Sequence, residues 1–179
     1  MRKLLLLTIL QSLFIINVFA THNRAGEITY AQVSGLTFDF TITTYTKASS
    51  VDADRVELAI FWGDGTANTL PRTEEAFLAN DIKLNRYTGR HTYSGPFNYV
   101  VYVIDPNRIE SILNISNSVN VPFYLEDTLK ILDPTIYGFN SSPILFNPPI
   151  DFGNVNEIFV HNPNAFDPDG DSLSYTLIP

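Results

Sequence analysis

Two stretches of strict alternation constrain this chain most. Leu36, Phe38, Phe40 and Ile42 alternate with Thr37, Asp39, Thr41 and Thr43. Val56, Leu58, Ile60 and Trp62 repeat the pattern, and Gly63-Asp64-Gly65 ends it. Successive side chains on a strand point to opposite faces, so each stretch predicts a strand with one buried and one wet face. Helical periodicity is almost absent after residue 20. The 13 Phe and 9 Tyr, with abundant Val, Ile and Thr, suit pleated sheets better than helices.

The expected architecture is all-β: a sandwich at 21–131, a linker at 132–143 and the start of a second β domain at 144–179. Tyr99 to Ile104 is apolar at every position, as expected of a central strand. Ile109 to Val121 is expected to give one or two more strands, with turns at Asn117 and Asn120. The pattern between Thr73 and Leu84 is less regular, and Glu74 to Leu78 suits a short helix. Asp133-Pro134 and Asn140-Ser141-Ser142-Pro143 carry linker chemistry. Beyond them, Phe159-Val160 and Leu173, Tyr175 and Leu177 are the expected strands of the second unit. Some 36 residues cannot bury a sandwich core of their own, so this unit is expected to continue in a longer protein.

Residues 1–20 have the three parts of a secretory leader. Arg2-Lys3 is the basic start, Leu4 to Phe19 the apolar run, and Val18-Phe19-Ala20 the cleavage site. The expected destination is the cell surface or the medium, with no membrane insertion once the leader is removed. No cysteine is present, so disulfides cannot brace the exported domain, a lean toward bacterial export. Asn114-Ile115-Ser116 and Asn140-Ser141-Ser142 match the glycosylation pattern, which a bacterial host would usually ignore. Net charge is −8, and −10 without Arg2 and Lys3, which argues against nucleic acid as a partner.

Two motifs carry chemistry. In the first, Trp62-Gly63-Asp64-Gly65-Thr66 is paired with His91-Thr92-Tyr93. The glycines permit positive φ, the Asp carboxylate can cap backbone N–H groups, and Trp62 fills the core beside the turn. A structural role for Trp62, Gly63, Asp64, Gly65, His91 and Tyr93 therefore accounts for the pattern. An acid–base pair of Asp64 and His91 is the competing reading, but no Ser or Cys nucleophile has a recognisable setting beside it. No enzymatic activity is expected.

The second motif is Asp167-Pro168-Asp169-Gly170-Asp171. Carboxylates of Asp167, Asp169 and Asp171 around a glycine can converge on calcium, which takes six to eight hard oxygens. Asn162 and Asn164 could add oxygens. An EF-hand frame fails: counted from Asp167, Ser172 stands at the glycine position and Ile178 at the bidentate glutamate. The competing reading is an acidic, solvated turn. His22, His91 and His161 lack metal-ligand spacing.

The first motif resembles the PKD family of immunoglobulin-like sandwiches. Thr21 to Tyr30, Trp62 to Thr66, His91 to Pro96 and Asp105 to Tyr124 also resemble the N-terminal region of large exported Bacteroidota proteins. Those proteins end in a gliding-motility-associated C-terminal domain, sorted by the type IX route. Asn147 to Asp151 and Asp167 to Tyr175 resemble the cadherin-like or immunoglobulin-like repeat that follows. Two departures stand out: Ile60-Phe61-Trp62 precedes Gly63 where the PKD pattern often has Asp-Phe, and Thr73 to Arg90 is longer than a minimal connection. The resemblance implies a structural and adhesive module, with neighbouring β-sandwich domains as partners and a surface glycan or protein as ligand. The alternative is a carbohydrate-binding accessory module of a polysaccharide-degrading enzyme. That needs exposed rings, for which Tyr30, Tyr45, Tyr87 and Tyr93 are available.

Overall fold

The computed structural model describes residues 22–150, 153–154 and 156–176. The expected leader and Leu177 lie outside the described residues. Seven antiparallel strands form the main body: β1 (Asn23–Ser34), β2 (Thr37–Lys47), β3 (Glu57–Phe61), β4 (Ala67–Leu78), β5 (Ile82–Thr92), β6 (Asn98–Asp105) and β7 (Phe123–Lys130). Their lateral order is β1-β2-β5-β4-β3-β6-β7. The chain is all-β, with an immunoglobulin-like sandwich as its main body.

One strand belongs to both layers. Glu57 to Phe61 of β3 pair with Pro71 to Ala67 of β4, whereas β4 from Arg72 onward pairs with β5. The register shifts between Arg72 and Glu74, the kind of irregularity that bends a strand. The fold brings β1 beside β7 and closes the sandwich. Ile28, Phe38, Phe40, Ile42 and Tyr87 then face Leu58, Ile60, Trp62, Val101, Val103 and Leu129 across one core. Each such fully buried large side chain contributes about 1.5–3 kcal/mol relative to exposure.

The alternation at Phe38, Phe40 and Ile42 places all three in the core as expected. Elsewhere the structure corrects the reading. Glu74 to Leu78 is strand, because the edge of β5 supplies backbone partners that local helix preference cannot match. Asn80 and Asp81, at φ 61° and 57°, make the tight connection to β5. Ile109 to Val121 is irregular and holds only a 3-10 turn at Ser118–Asn120, entered through Asn117 at φ 54°. The strand expected there lies later, as β7. β6 is central, between β3 and β7, but only one face enters the core: Val101 and Val103 are buried, while Val100 and Ile104 are exposed.

The segment after β7 does not run free. A short helix, α1 (Pro134–Tyr137), is capped by Asp133, whose carboxylate accepts from the Thr135 amide. Residues 140–142 then return along the outer edge of β1. The Gln32 amide donates to the Asn140 carbonyl at 3.0 Å, and the Ser142 amide to the Tyr30 carbonyl at 2.9 Å. β8 (Ile144–Leu145) and β9 (Ala165–Phe166) form a two-stranded pair. Phe159-Val160 and Leu173-Ser174-Tyr175 are not strands, and Phe159, Val160 and Tyr175 are exposed. A strand needs a neighbour's hydrogen bonds, and none reaches these residues among those described.

Candidate functional site

The Trp62–Thr66 turn and His91–Tyr93 form one cluster at the end of the sandwich. The Trp62 amide donates to the Thr66 carbonyl at 3.1 Å, closing the turn. Gly63 has φ +81°, and a Cβ there would lie 2.5 Å from the Val100 carbonyl oxygen. No other residue type fits without moving β6. Asp64 Oδ1 accepts from the Thr66 amide at 2.9 Å and from its hydroxyl at 2.6 Å. Its Oδ2 lies 2.8 Å from His91 Nε2. Burial alone raises the Asp64 pKa, but hydrogen bonds from Thr66 and His91 outweigh it and hold the carboxyl below its ordinary value.

The indole is held on all sides. Its Nε1 donates to Asn68 Oδ1 at 2.7 Å, so the one polar atom of a fully buried Trp62 is satisfied. His91 stacks on the ring, and Phe40 lies 5.0 Å away centroid to centroid. The Tyr93 hydroxyl donates to the Trp62 carbonyl at 3.1 Å, and Tyr93 stacks on Tyr99 at 4.1 Å. Thr66 Oγ1 is bound to Asp64 Oδ1, the carboxylate oxygen that His91 does not use. Hydrogen bonds and ring stacking thus tie the motif's side chains to one another and to the backbone, and together they form a clasp.

The acidic turn is arranged differently from a cation cage. Asp167 is buried, and its Oδ1 accepts from the Asp169 amide at 2.9 Å and the Asp171 amide at 3.1 Å. That is an Asx-type turn, in which the side chain replaces a backbone acceptor. Asp169 Oδ2 accepts from the Ser141 amide on the segment lying along β1. Asp171 is exposed. Among the described residues no three His, Asp or Glu side chains gather as a metal site. As arranged, the Asp167 and Asp169 carboxylates accept from the chain's own N–H groups.

Sequence reasoning missed a polar cluster at the opposite end of the strands. Thr44 and Thr46 continue the inward phase of Phe38, Phe40 and Ile42, while Lys83 and Asn85 continue that of Tyr87. This switch from apolar to polar in one phase was the available signal. Asp54 is the hub: it accepts from Arg72 Nη1 at 2.8 Å and from Lys83 Nζ at 2.9 Å. Glu75 accepts from Arg72 Nη2 at 2.9 Å and Lys83 Nζ at 2.8 Å. Burial raises the Asp54 pKa, yet hydrogen bonds and charge from Arg72 and Lys83 bring it below its ordinary value. Asn85 accepts from Arg72 and donates to Thr46, and the Tyr87 hydroxyl donates to the Arg55 carbonyl.

Aromatic exposure also falls where alternation did not place it. Tyr45, Tyr87 and Tyr93 are buried, and Tyr30 packs partly buried against the core. Three rings neighbour one another on the outer side of β3, β6 and β7: Phe61 and Tyr102, both partly exposed, and the exposed Tyr124. Phe61 and Tyr102 stack at 4.7 Å with 7° between their planes, so each covers a face of the other.

No protein-family model matches the chain, and no curated protein or solved structure is found similar to it.

Proposed function

We propose that this chain is a non-enzymatic structural and adhesive module of a multidomain bacterial protein, secreted or held at the cell surface. The observation that carries the reading is the joint after the first sandwich. Residues 140–142 extend the edge of β1, and Asp169 from the following unit holds the Ser141 amide. A joint tied by these hydrogen bonds bends less freely than an untethered linker, as a stalk of stacked domains requires. The clasp of Trp62, Gly63, Asp64, Gly65, His91 and Tyr93 supports the same reading, since its groups are spent on holding the fold. The resemblance to PKD-like domains of exported Bacteroidota proteins, and the leader at residues 1–20, belong to this proposal.

Calcium at Asp167, Asp169 and Asp171 is the cofactor in this reading. The negative charges of Asp127, Asp167 and Asp169 all act on the Tyr30 hydroxyl and, with burial as the main cause, push its pKa up to about 12. Among the described residues no Lys or Arg pairs with any of these three carboxylates. A cation would compete with the Ser141 amide for Asp169. The deciding experiment is small-angle scattering of the full chain and of Asp169→Ala, each with calcium and with EDTA. A wild-type profile that needs no flexible joint, and a variant that does, supports the stalk. Equal flexibility in both removes it.

A second reading, a glycan-binding module of an exported polysaccharide-degrading enzyme, draws on the outer row of Phe61, Tyr102 and Tyr124. Tyr124 donates to Glu126 at 2.7 Å, which presents an oriented carboxylate beside the rings. A glycan array that binds the wild type but not Tyr124→Ala would favour it; no binding would leave the stalk alone.

A further inference from the structure

His22 is 2 % exposed, and neither ring nitrogen has a hydrogen-bond partner. Its Nε2 stops 3.9 Å short of Asp54 Oδ1, too far for a hydrogen bond. Leaving a buried polar group unpaired costs about 1–3 kcal/mol, so the position calls for an explanation. The backbone around it supplies one. The His22 carbonyl accepts from the Lys47 amide at 2.9 Å and so closes the end of β2. The neighbouring Asn23 amide donates to the Asn107 carbonyl at 2.8 Å, and the Asn23 carbonyl accepts from the Ile109 amide at 3.0 Å. Residues 22 and 23 therefore tie β2 and the long β6–β7 connection to the first strand.

We propose that His22 is an acid-release latch: neutral, it seals the polar end of the sandwich, and on protonation it leaves, freeing the 22–23 tie and loosening the 106–122 connection. The groups facing it come from three sides. Asp54 and Arg55 lie on the turn before β3, Lys83 on β5 and Asp105 on β6. Arg72 and Glu75 of β4 stand behind Asp54 and Lys83. Three acids and three bases are thus already matched: Arg55 binds Asp105 at 3.2 Å, and Arg72 and Lys83 bind Asp54 and Glu75. An added imidazolium would be the unmatched charge.

Burial is the main cause of a lowered His22 pKa; the nearby Asp54 and Asp105 oppose it without prevailing. The sign follows. A histidine held below its ordinary 6.5 contributes stability above that pH and loses it as pH falls toward the folded value. One proton linked to opening gives at most about a tenfold change per pH unit.

The test is amide exchange on the full chain between pH 7.5 and 5, expressed as protection relative to Ile42 in the core. The Lys47 and Ile109 amides are expected to lose up to about tenfold protection per unit below pH 6.5 in the wild type. His22→Phe keeps a buried ring without the proton and is expected to flatten that dependence. Equal pH dependence in both proteins overturns the proposal. If His22→Phe does not fold, the wild-type imidazole followed by NMR decides: titration below 6.5 together with loss of the Lys47 tie supports the latch, and titration at or above 6.5 refutes it.

Discussion

The imidazole of His91 lies parallel to the indole of Trp62, with centroids 4.7 Å apart and 6° between the planes, while its Nε2 reaches Asp64 at 2.8 Å. One side chain thus joins the core aromatic to the carboxylate of the turn that follows it. The turn at 62–66 and the end of β5 are fixed by the same contact.

Removing either polar partner should therefore cost the same interaction. A charge-assisted hydrogen bond contributes about 1.5–3 kcal/mol and a stacked pair about 0.5–1.5. His91→Ala is expected to destabilise by about 2–4 kcal/mol in urea unfolding, and Asp64→Ala by about 1–3. The double variant should fall short of the sum by more than about 0.5 kcal/mol. Additive losses would show that the two do not act as a unit.

The two turn glycines should separate clearly. Gly63→Ala meets both a positive φ and the Val100 backbone, so loss of folding or at least about 3 kcal/mol is expected. At Gly65 the φ is +87° but space is open, and Ala should cost about 1–2 kcal/mol. Similar midpoints for both variants would remove the close-approach argument.

Most of the sandwich was legible because alternation survives wherever one sheet face meets the core. Phe38, Phe40, Ile42, Leu58, Ile60 and Trp62 all behave that way. The clasp was legible too, since glycines at sharp turns and a paired Asp and His carry local chemistry. What escaped was set by partners distant in sequence. Glu74 to Leu78 is strand only because β5 lies beside it, and the Asp54 network joins four separate segments. The bond from the Ser141 amide to Asp169 spans 28 residues, so no local pattern announces it.

Asp127 should make stability depend on pH in a direction unusual for a carboxylate. It sits on β7 in the inward phase of Leu125 and Leu129, and burial pushes its pKa up to about 6, against a bond from Thr128 that lowers it. Its ionised form is therefore penalised above pH 6, and the penalty fades as pH falls toward 3.8. Asp127→Asn is expected to raise stability by about 1–3 kcal/mol at pH 7.5 and by almost nothing at pH 4. Urea midpoints at the two pH values check this, and a pH-independent gain would contradict it.

The Asp169 clasp should be local. Asp169→Ala is expected to speed exchange of the Ser141 amide by about tenfold while Ile42 stays protected. Calcium binding at the acidic turn, if it draws on Asp169, should mimic that change in the wild type and raise the thermal midpoint. Titration of the full chain with calcium that alters neither quantity would leave the turn a backbone cap alone.

The shared strand β4 has a mechanical consequence. Its first half is stitched into one layer and its second half into the other, with a continuous backbone between them. The layers therefore cannot slide past one another without either stretching covalent bonds or unzipping one half of β4. β4 thus joins the layers as a seam rather than leaving them a stack of loose plates.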